Sequence, residues 1–100
     1  MSQPTTLVVT AIPNPDASEA MQTYFKGVLP LLQAAGGKLV KRLKITDVVA
    51  GQQSYGMVLV MDFESKEVAS QMFDSDDYNA LIPAREQGFK SMTINFADGM

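Results

Sequence analysis

F-D-S-D-D-Y-N-A-L-I-P-A-R, residues 73–85, is the stretch on which the fold turns. Asp74-Ser75-Asp76-Asp77 has the chemistry of a helix start. Ser75 or Asp74 can cap, and two carboxylates then sit in the first turn against the positive end of the helix dipole. A calcium loop would need a Gly and a Glu at fixed distances further on, and neither is present. Beyond the start, Tyr78, Leu81, Ile82 and Arg85 share one helical face, because seven residues make nearly two turns. Pro83 leaves the Asn79 carbonyl without its helical donor, between the phenol and the guanidinium. The segment continues a helix over Glu64 to Phe73, with Val68, Ala69, Met72 and Phe73 inward. That helix breaks at Asp74-Ser75 and resumes to about Glu86.

Upstream lies Tyr55 to Phe63, the most hydrophobic run and a strand; downstream, Lys90 to Phe96 alternates Met92, Ile94 and Phe96 against Ser91, Thr93 and Asn95. Gly51 to Ser54 is a turn, and Lys38 to Ala50 is another strand, in which Leu39, Leu43 and Ile45 share one parity and Val40, Arg42 and Lys44 the other. Lys41 breaks that pattern, which points to an exposed edge or a bulge. Thr6 to Ile12 is the first strand, closed by Pro13-Asn14-Pro15. Asp16, with Glu19 three residues on, begins a helix striped by Met21, Tyr24, Phe25, Val28, Leu31, Leu32 and Ala35. Gly36-Gly37 follows a helix rather than opening one, so it is a C-terminal stop and not a phosphate loop. Pro30 and Gly27 together predict a kink.

The order is β-α-β-β-α-β. Two right-handed crossovers joined by a hairpin give an α+β sandwich. Its four-stranded antiparallel sheet has the order 4-1-3-2 and both helices on one face, the ferredoxin-like arrangement. Met57, Leu59, Met61 and Phe63 face the helices. The bare face then carries Val8, Ile12, Val58, Val60 and Val40, an apolar patch that a monomer avoids exposing. A second copy packed sheet to sheet covers it, so a homodimer is expected. The competing picture is a lone domain, its bare face wetted by Thr10, Arg42, Lys44, Asp62, Thr93 and Asn95.

Composition narrows the chemistry. One hundred residues, 46% hydrophobic, suit one domain over 1–100 with one modest core. Eight basic and eleven acidic residues give a net charge of −3, which argues against a general nucleic-acid partner. The same element order occurs in RNA-recognition domains, but Val58 and Val60 stand where base-stacking aromatics would be needed. Lys38, Lys41, Arg42 and Lys44 are better explained as guards of a sheet edge than as an anion site. No apolar run approaches the ~18 residues that cross a bilayer, and the N-terminus lacks a secretory pattern, so no membrane partner and a cytoplasmic location are expected. There is no Cys and no His. Thiolate nucleophiles, disulfides and the usual neutral-pH base are thereby absent, and neither a metal nor a cofactor is expected. The seven Met residues lack the clustering of a copper site and suit a core or an adaptable pocket wall.

Tyr78 and Arg85 are the foremost polar site candidates. In one reading they wall a pocket, Arg85 pairing with a ligand carboxylate or enolate and Tyr78 donating a hydrogen bond. In the other, Arg85 satisfies carbonyls near a helix end or bridges to a partner subunit, and Tyr78 packs; this carries slightly more weight.

Three segments together resemble the DUF1330 family: A-A-G-G-K-L-V-K-R after the first helix, M-D-F-E-S-K-E-V-A at the end of the third strand, and the opening stretch. The third is the most specific, and the resemblance spans roughly residues 6 to 97. It implies the dimeric α+β barrel superfamily, with ferredoxin-like subunits paired sheet to sheet. Relatives there include cofactor-free monooxygenases of polyketide quinones, small lactone isomerases, haem-binding enzymes and stress-related ligand binders. An axial imidazole for haem is missing, as is the Trp common around the substrate in the quinone oxygenases.

Two functions remain open. One is a dimer that binds a small, partly apolar ligand, neutral or anionic, in a pocket walled by Tyr24, Phe25, Phe73, Tyr78 and Arg85. If such a site turns over, enolisation is the easiest chemistry without metal or thiol, with Arg85 steadying the enolate; no residue stands out as the base. The other is a non-catalytic dimeric module in which these residues pack and cap. An enclosed cavity reaching Tyr78 and Arg85 favours the first, and a filled core with Arg85 held by carbonyls favours the second.

Overall fold

The protein, a computed structural model, is described over residues 3–51 and 56–100. The expected turn at Gly51 to Ser54 and the start of the third strand at Tyr55 fall largely outside the described residues. The elements are β1 (Thr5–Pro13), α1 (Ser18–Ala34), β2 (Lys38–Lys44), β3 (Met57–Phe63), α2 (Lys66–Phe73), α3 (Asp76–Asn79), α4 (Ile82–Gly88) and β4 (Phe89–Ala97). The sheet order is β2-β3-β1-β4, all pairs antiparallel, which is the expected ferredoxin-like topology.

Local chemistry sets each boundary. Asn14, not Asp16, is the first cap: its side chain accepts from the Asp16 N–H at 3.1 Å and opens a 3-10 turn over Pro15–Ala17. Two prolines around Asn14 leave its short side chain the acceptor nearest the free amide, and α1 then starts at Ser18 with no side-chain cap. The helix runs through Pro30 as one element to Ala34. It ends in a Schellman motif: Gly36 takes φ +88°, its N–H donates to Gln33, and the Gly37 N–H donates to Leu32 at 2.9 Å. Ser65 caps α2 through the Val68 N–H at 3.1 Å. Ser75 caps α3 through the Tyr78 N–H at 3.2 Å, and its own hydroxyl donates to the Met72 carbonyl at 2.6 Å.

The helix expected to resume to Glu86 is two helices. α3 closes at Asn79, and Pro83 lies in the first turn of α4, where its missing N–H costs no helical bond. The strand expected to reach Ala50 ends at Lys44, although the Ile45 N–H still donates to the Gly56 carbonyl at 2.8 Å.

The register of β2 slips between Leu39 and Lys41, so Val40 is an extra, bulged residue. The bulge inverts the parity expected from a regular strand. Leu39 pairs with Met61 on the helix side, whereas Lys41 pairs with Val60 and Leu43 with Val58 on the bare side. Arg42 and Lys44 consequently fall on the helix side, opposite Leu59 and Met57. The bare face thus gains Leu43 and Ile45 beside Val8, Ile12, Val58 and Val60.

The core lies between sheet and helices. Leu7 and Phe63 are fully buried, and Ala11, Met61, Tyr24, Val28, Leu32, Ala69, Met72, Tyr78 and Phe89 complete it. Each large apolar side chain so buried contributes roughly 1.5–3 kcal/mol. β2, at the edge, is exposed along its length, which suits its lysines.

Candidate functional site

Three helices converge on two buried phenols. Tyr24 stands on the inner stripe of α1 with Val28 and Leu32, one helical turn apart. Tyr78 comes from α3, its backbone fixed by the Ser75 cap. Arg85 comes from α4 and reaches back over the Ala80-Leu81 break. The Tyr24 and Tyr78 hydroxyls lie 2.9 Å apart, and the Arg85 guanidinium donates to the Tyr78 hydroxyl at 3.0 Å. Both phenols are almost wholly buried, Tyr24 at 3% exposure and Tyr78 at 2%, while Arg85 is half-buried. Among the described residues no carboxylate pairs with the guanidinium. Burial, and after it the hydrogen bond and repulsion from Tyr78, push the Tyr24 phenol far above its usual range, with Arg85 opposing them. Tyr24 therefore stays protonated at any ordinary pH.

Two glycines bring α4 close enough for this. A Cβ on Gly88 would lie 2.6 Å from the Met21 backbone nitrogen, so Gly88 lets α4 touch the backbone of α1. Gly27 leaves the space on α1 that the Leu81 side chain fills. Gly27 is thus a docking point for the α3–α4 corner, a role its neighbour Pro30 obscured in the sequence. Asn14 adds a tie from the end of β1, its N–H donating to Gly88 at 2.9 Å and its side chain to the Gln87 carbonyl at 3.3 Å.

The phenols sit in an aromatic cluster. Tyr24 meets Phe25, Phe89 and Tyr78 edge to face at ring separations of 5.9, 5.8 and 6.2 Å, and Phe73 meets Tyr78 at 5.0 Å. Such contacts are worth about 0.5–1.5 kcal/mol each beyond burial, so the hydroxyl pair is held in a stiff frame.

Beside this cluster, between α1 and the sheet, is an apolar cavity of about 30 Å³. Tyr24, Phe25 and Phe73 line it, with Leu29 at its rim and Met57, Leu59, Met92 and Ile94 from the sheet. Tyr78 and Arg85 do not line it. Arg85 instead borders an open cleft of about 380 Å³ with Phe89, Lys90, Met92 and Ile94. Met92 and Ile94 thus belong to both hollows. The sequence-derived residues are one constellation split in two: Tyr24, Phe25 and Phe73 on the cavity, Tyr78 and Arg85 behind Tyr24. Arg85 is held neither by carbonyls nor by an inward-facing pocket, but by a phenol. The sheet half of the wall was not singled out from the sequence, although the alternation of Met92 and Ile94 signals it.

Among the described residues no cluster of His, Cys, Asp or Glu could hold a metal, and no described helix is long and apolar enough to cross a membrane.

The family model described as a domain of unknown function (DUF1330) matches residues 5–100. No curated protein matches the sequence. Among solved structures, a protein of unknown function from Rhodopseudomonas palustris superposes with a TM-score of 0.84 at 15% identity, covering 100% of this chain and 85% of that one. A protein from Arabidopsis thaliana gives 0.71 at 15% identity, over 96% and 95% of the two chains. A candidate antibiotic biosynthesis monooxygenase from Caulobacter crescentus gives 0.68 at 11% identity, over 99% and 92%. At such identities the likeness is one of fold.

Proposed function

This chain belongs to the DUF1330 family, whose description assigns no activity, and we propose that it is a homodimer that binds a small, largely apolar molecule between helices and sheet. The hydrogen-bonded chain Arg85–Tyr78–Tyr24 carries the reading. It leads from the half-exposed guanidinium through two buried phenols to the wall of an apolar cavity. A pair of Phe residues would fill the same space without burying two hydroxyls, each of which is costly to desolvate. The arrangement suits a site that presents polarity to something placed beside Tyr24. An enolisable ligand would find there a neutral donor with a fixed positive charge behind it.

The dimer rests on the bare sheet face. Val8, Ile12, Val58, Val60, Leu43 and Ile45 share that face with Thr10 and Lys41, and they make it largely apolar, Leu43 being 49% exposed. Thr6 bonds the Asp62 carboxylate at 2.8 Å on that face, which satisfies its acidic residue locally and eases its burial. The two faces of β3 then serve two purposes, cavity wall and subunit contact.

A second reading, a dimeric module without a ligand, draws on the smallness of the cavity, about 30 Å³. A thermal-shift screen of small oxygenated compounds, repeated on Arg85→Ala, separates the two. Ligand binding gives hits whose shift shrinks in the variant; a screen without hits, or shifts indifferent to Arg85, refutes the site. Light scattering at micromolar concentration tests the dimer, and a single-chain mass refutes it.

A further inference from the structure

We infer that Tyr24 is the ligand's hydrogen-bond donor and that the ligand is a neutral carbonyl compound, not a carboxylate. The inference rests on the reading above that the cavity beside Tyr24 receives a small molecule.

Proton counting leads to it. Each phenol carries one proton. The bond between Tyr24 and Tyr78 uses one of the two, with either oxygen able to donate. The bond from Arg85 occupies a lone pair on Tyr78 and no hydroxyl proton. One hydroxyl proton is left without an acceptor among the described residues, on side chains that are at least 97% buried. An idle buried donor costs about 1–3 kcal/mol.

The guanidinium decides which proton is idle. Its N–H points at the Tyr78 oxygen, so the Tyr78 hydroxyl dipole is most stable with its proton turned away from the cation, toward Tyr24. Tyr24 then accepts, and its own proton is the free one. Hydrogen bonds in series polarise one another, which makes Tyr24 a stronger donor than an isolated phenol.

The cavity wall gives the ligand's chemistry. Among the described residues Tyr24 is the one lining side chain with an O–H or N–H group; the others are aliphatic, aromatic or thioether. Such a wall offers one donor and no cation. A carboxylate would be desolvated there with the guanidinium bonded to Tyr78 and absent from the lining, and an amine would find no acceptor. A ketone, aldehyde or ester places its oxygen on Tyr24 and its carbon skeleton on the apolar wall. The present volume, about 30 Å³, holds little more than a water or two. A larger guest requires Leu29, Met57 and Met92 to swing outward. Two of these are flexible thioethers and the third is 39% exposed.

The test uses three probes of matched shape: cyclopentanone, methylenecyclopentane and cyclopentanecarboxylate, titrated by NMR into the wild type, Tyr24→Phe and Arg85→Ala. The ketone should bind about five-fold tighter than the alkene, the worth of one neutral hydrogen bond, and Tyr24→Phe should abolish that preference. Equal binding of ketone and alkene, or a preference that survives Tyr24→Phe, overturns the inference and leaves the pocket intact. A carboxylate that binds best and is lost in Arg85→Ala overturns it in favour of a direct anion site. If none of the three binds, both the inference and the pocket fail. Should Tyr24→Phe not fold, infrared spectra of the wild-type complex decide: the ketone C=O band must fall below its position in hexane, and an unshifted band overturns the inference.

Discussion

Gly88→Ala tests whether close contact between α4 and α1 places Arg85. The added carbon would lie 2.6 Å from the Met21 nitrogen and 2.7 Å from its Cα, both backbone atoms that cannot rotate aside. An ordinary contact needs at least about 3.4 Å, so the helices must part by roughly 0.8 Å, an overpacking strain of about 1–3 kcal/mol. Alanine recovers up to about 1 kcal/mol of that through its helix preference. The net loss, about 1–2 kcal/mol, lowers Tm by roughly 4–8 °C per kcal/mol in a domain of this size. Arg85 lies less than one turn before Gly88. If it moves with the helix, its 3.0 Å bond to Tyr78 lengthens to about 3.8 Å and is lost. Melts followed by far-UV circular dichroism report the stability, and the near-UV tyrosine band reports the phenol pair. Gly99→Ala, with nothing within 4 Å of its Cβ, is the control. A Gly88→Ala protein that melts at or above the wild-type temperature, with an unchanged near-UV band, would refute the reasoning.

Ser75→Ala removes the cap on the Tyr78 N–H and the bond to the Met72 carbonyl; chemical denaturation should show a loss of about 1–2 kcal/mol. Gly36→Ala meets no steric neighbour but forces a side chain to φ +88°; it should cost about 1 kcal/mol, read from the same melts. The raised pKa of Tyr24 means that the unfolded chain ionises first as pH climbs. Its contribution is therefore complete below about pH 10 and is lost above that at about 1.4 kcal/mol per pH unit. Urea melts between pH 9 and 11.5 should show this fall to be steeper in the wild type than in Tyr24→Phe.

The topology was legible because its signals are local and redundant. Four short apolar runs, two striped helices and a glycine stop follow one another in an order with few right-handed solutions. The β2 bulge was half legible: Lys41 announced an irregularity, but only pairing against β3 shows that Val40 is the extra residue and that Leu43 turns to the bare face. The unbroken helical periodicity from Tyr78 to Arg85 was misleading, since α3 and α4 are separate. The two side chains nevertheless meet, because the break at Ala80-Leu81 is itself a turn: the Leu81 N–H donates to Tyr78 and the Arg85 N–H to Leu81. Tyr24 was placed on a pocket wall by its helical stripe, but its bond to Tyr78 joins residues 54 positions apart. No sequence period encodes such a contact. It follows from the docking of α3 and α4 on α1 at Gly27 and Gly88, glycines that one sequence cannot distinguish from flexible ones.

β3 links the two halves of the proposed function. Along this strand Met57 and Leu59 line the cavity, and Val58 and Val60, which alternate with them, face away from the helices. Because alternate residues of a strand share one backbone, β3 cannot shift to admit a larger guest without moving the surface on which a second copy would rest. β4 is free of that constraint: among the described residues it pairs only with β1, and its opposite face carries Ser91, Thr93 and Asn95. Room for a guest is therefore most cheaply made on the β4 side, where Met92 and Ile94 already separate the cavity from the outer cleft beside Arg85. The cleft on that side is bordered by Arg85, Glu86 and Lys90, so entry there would bring a carbonyl past Arg85 before it meets Tyr24.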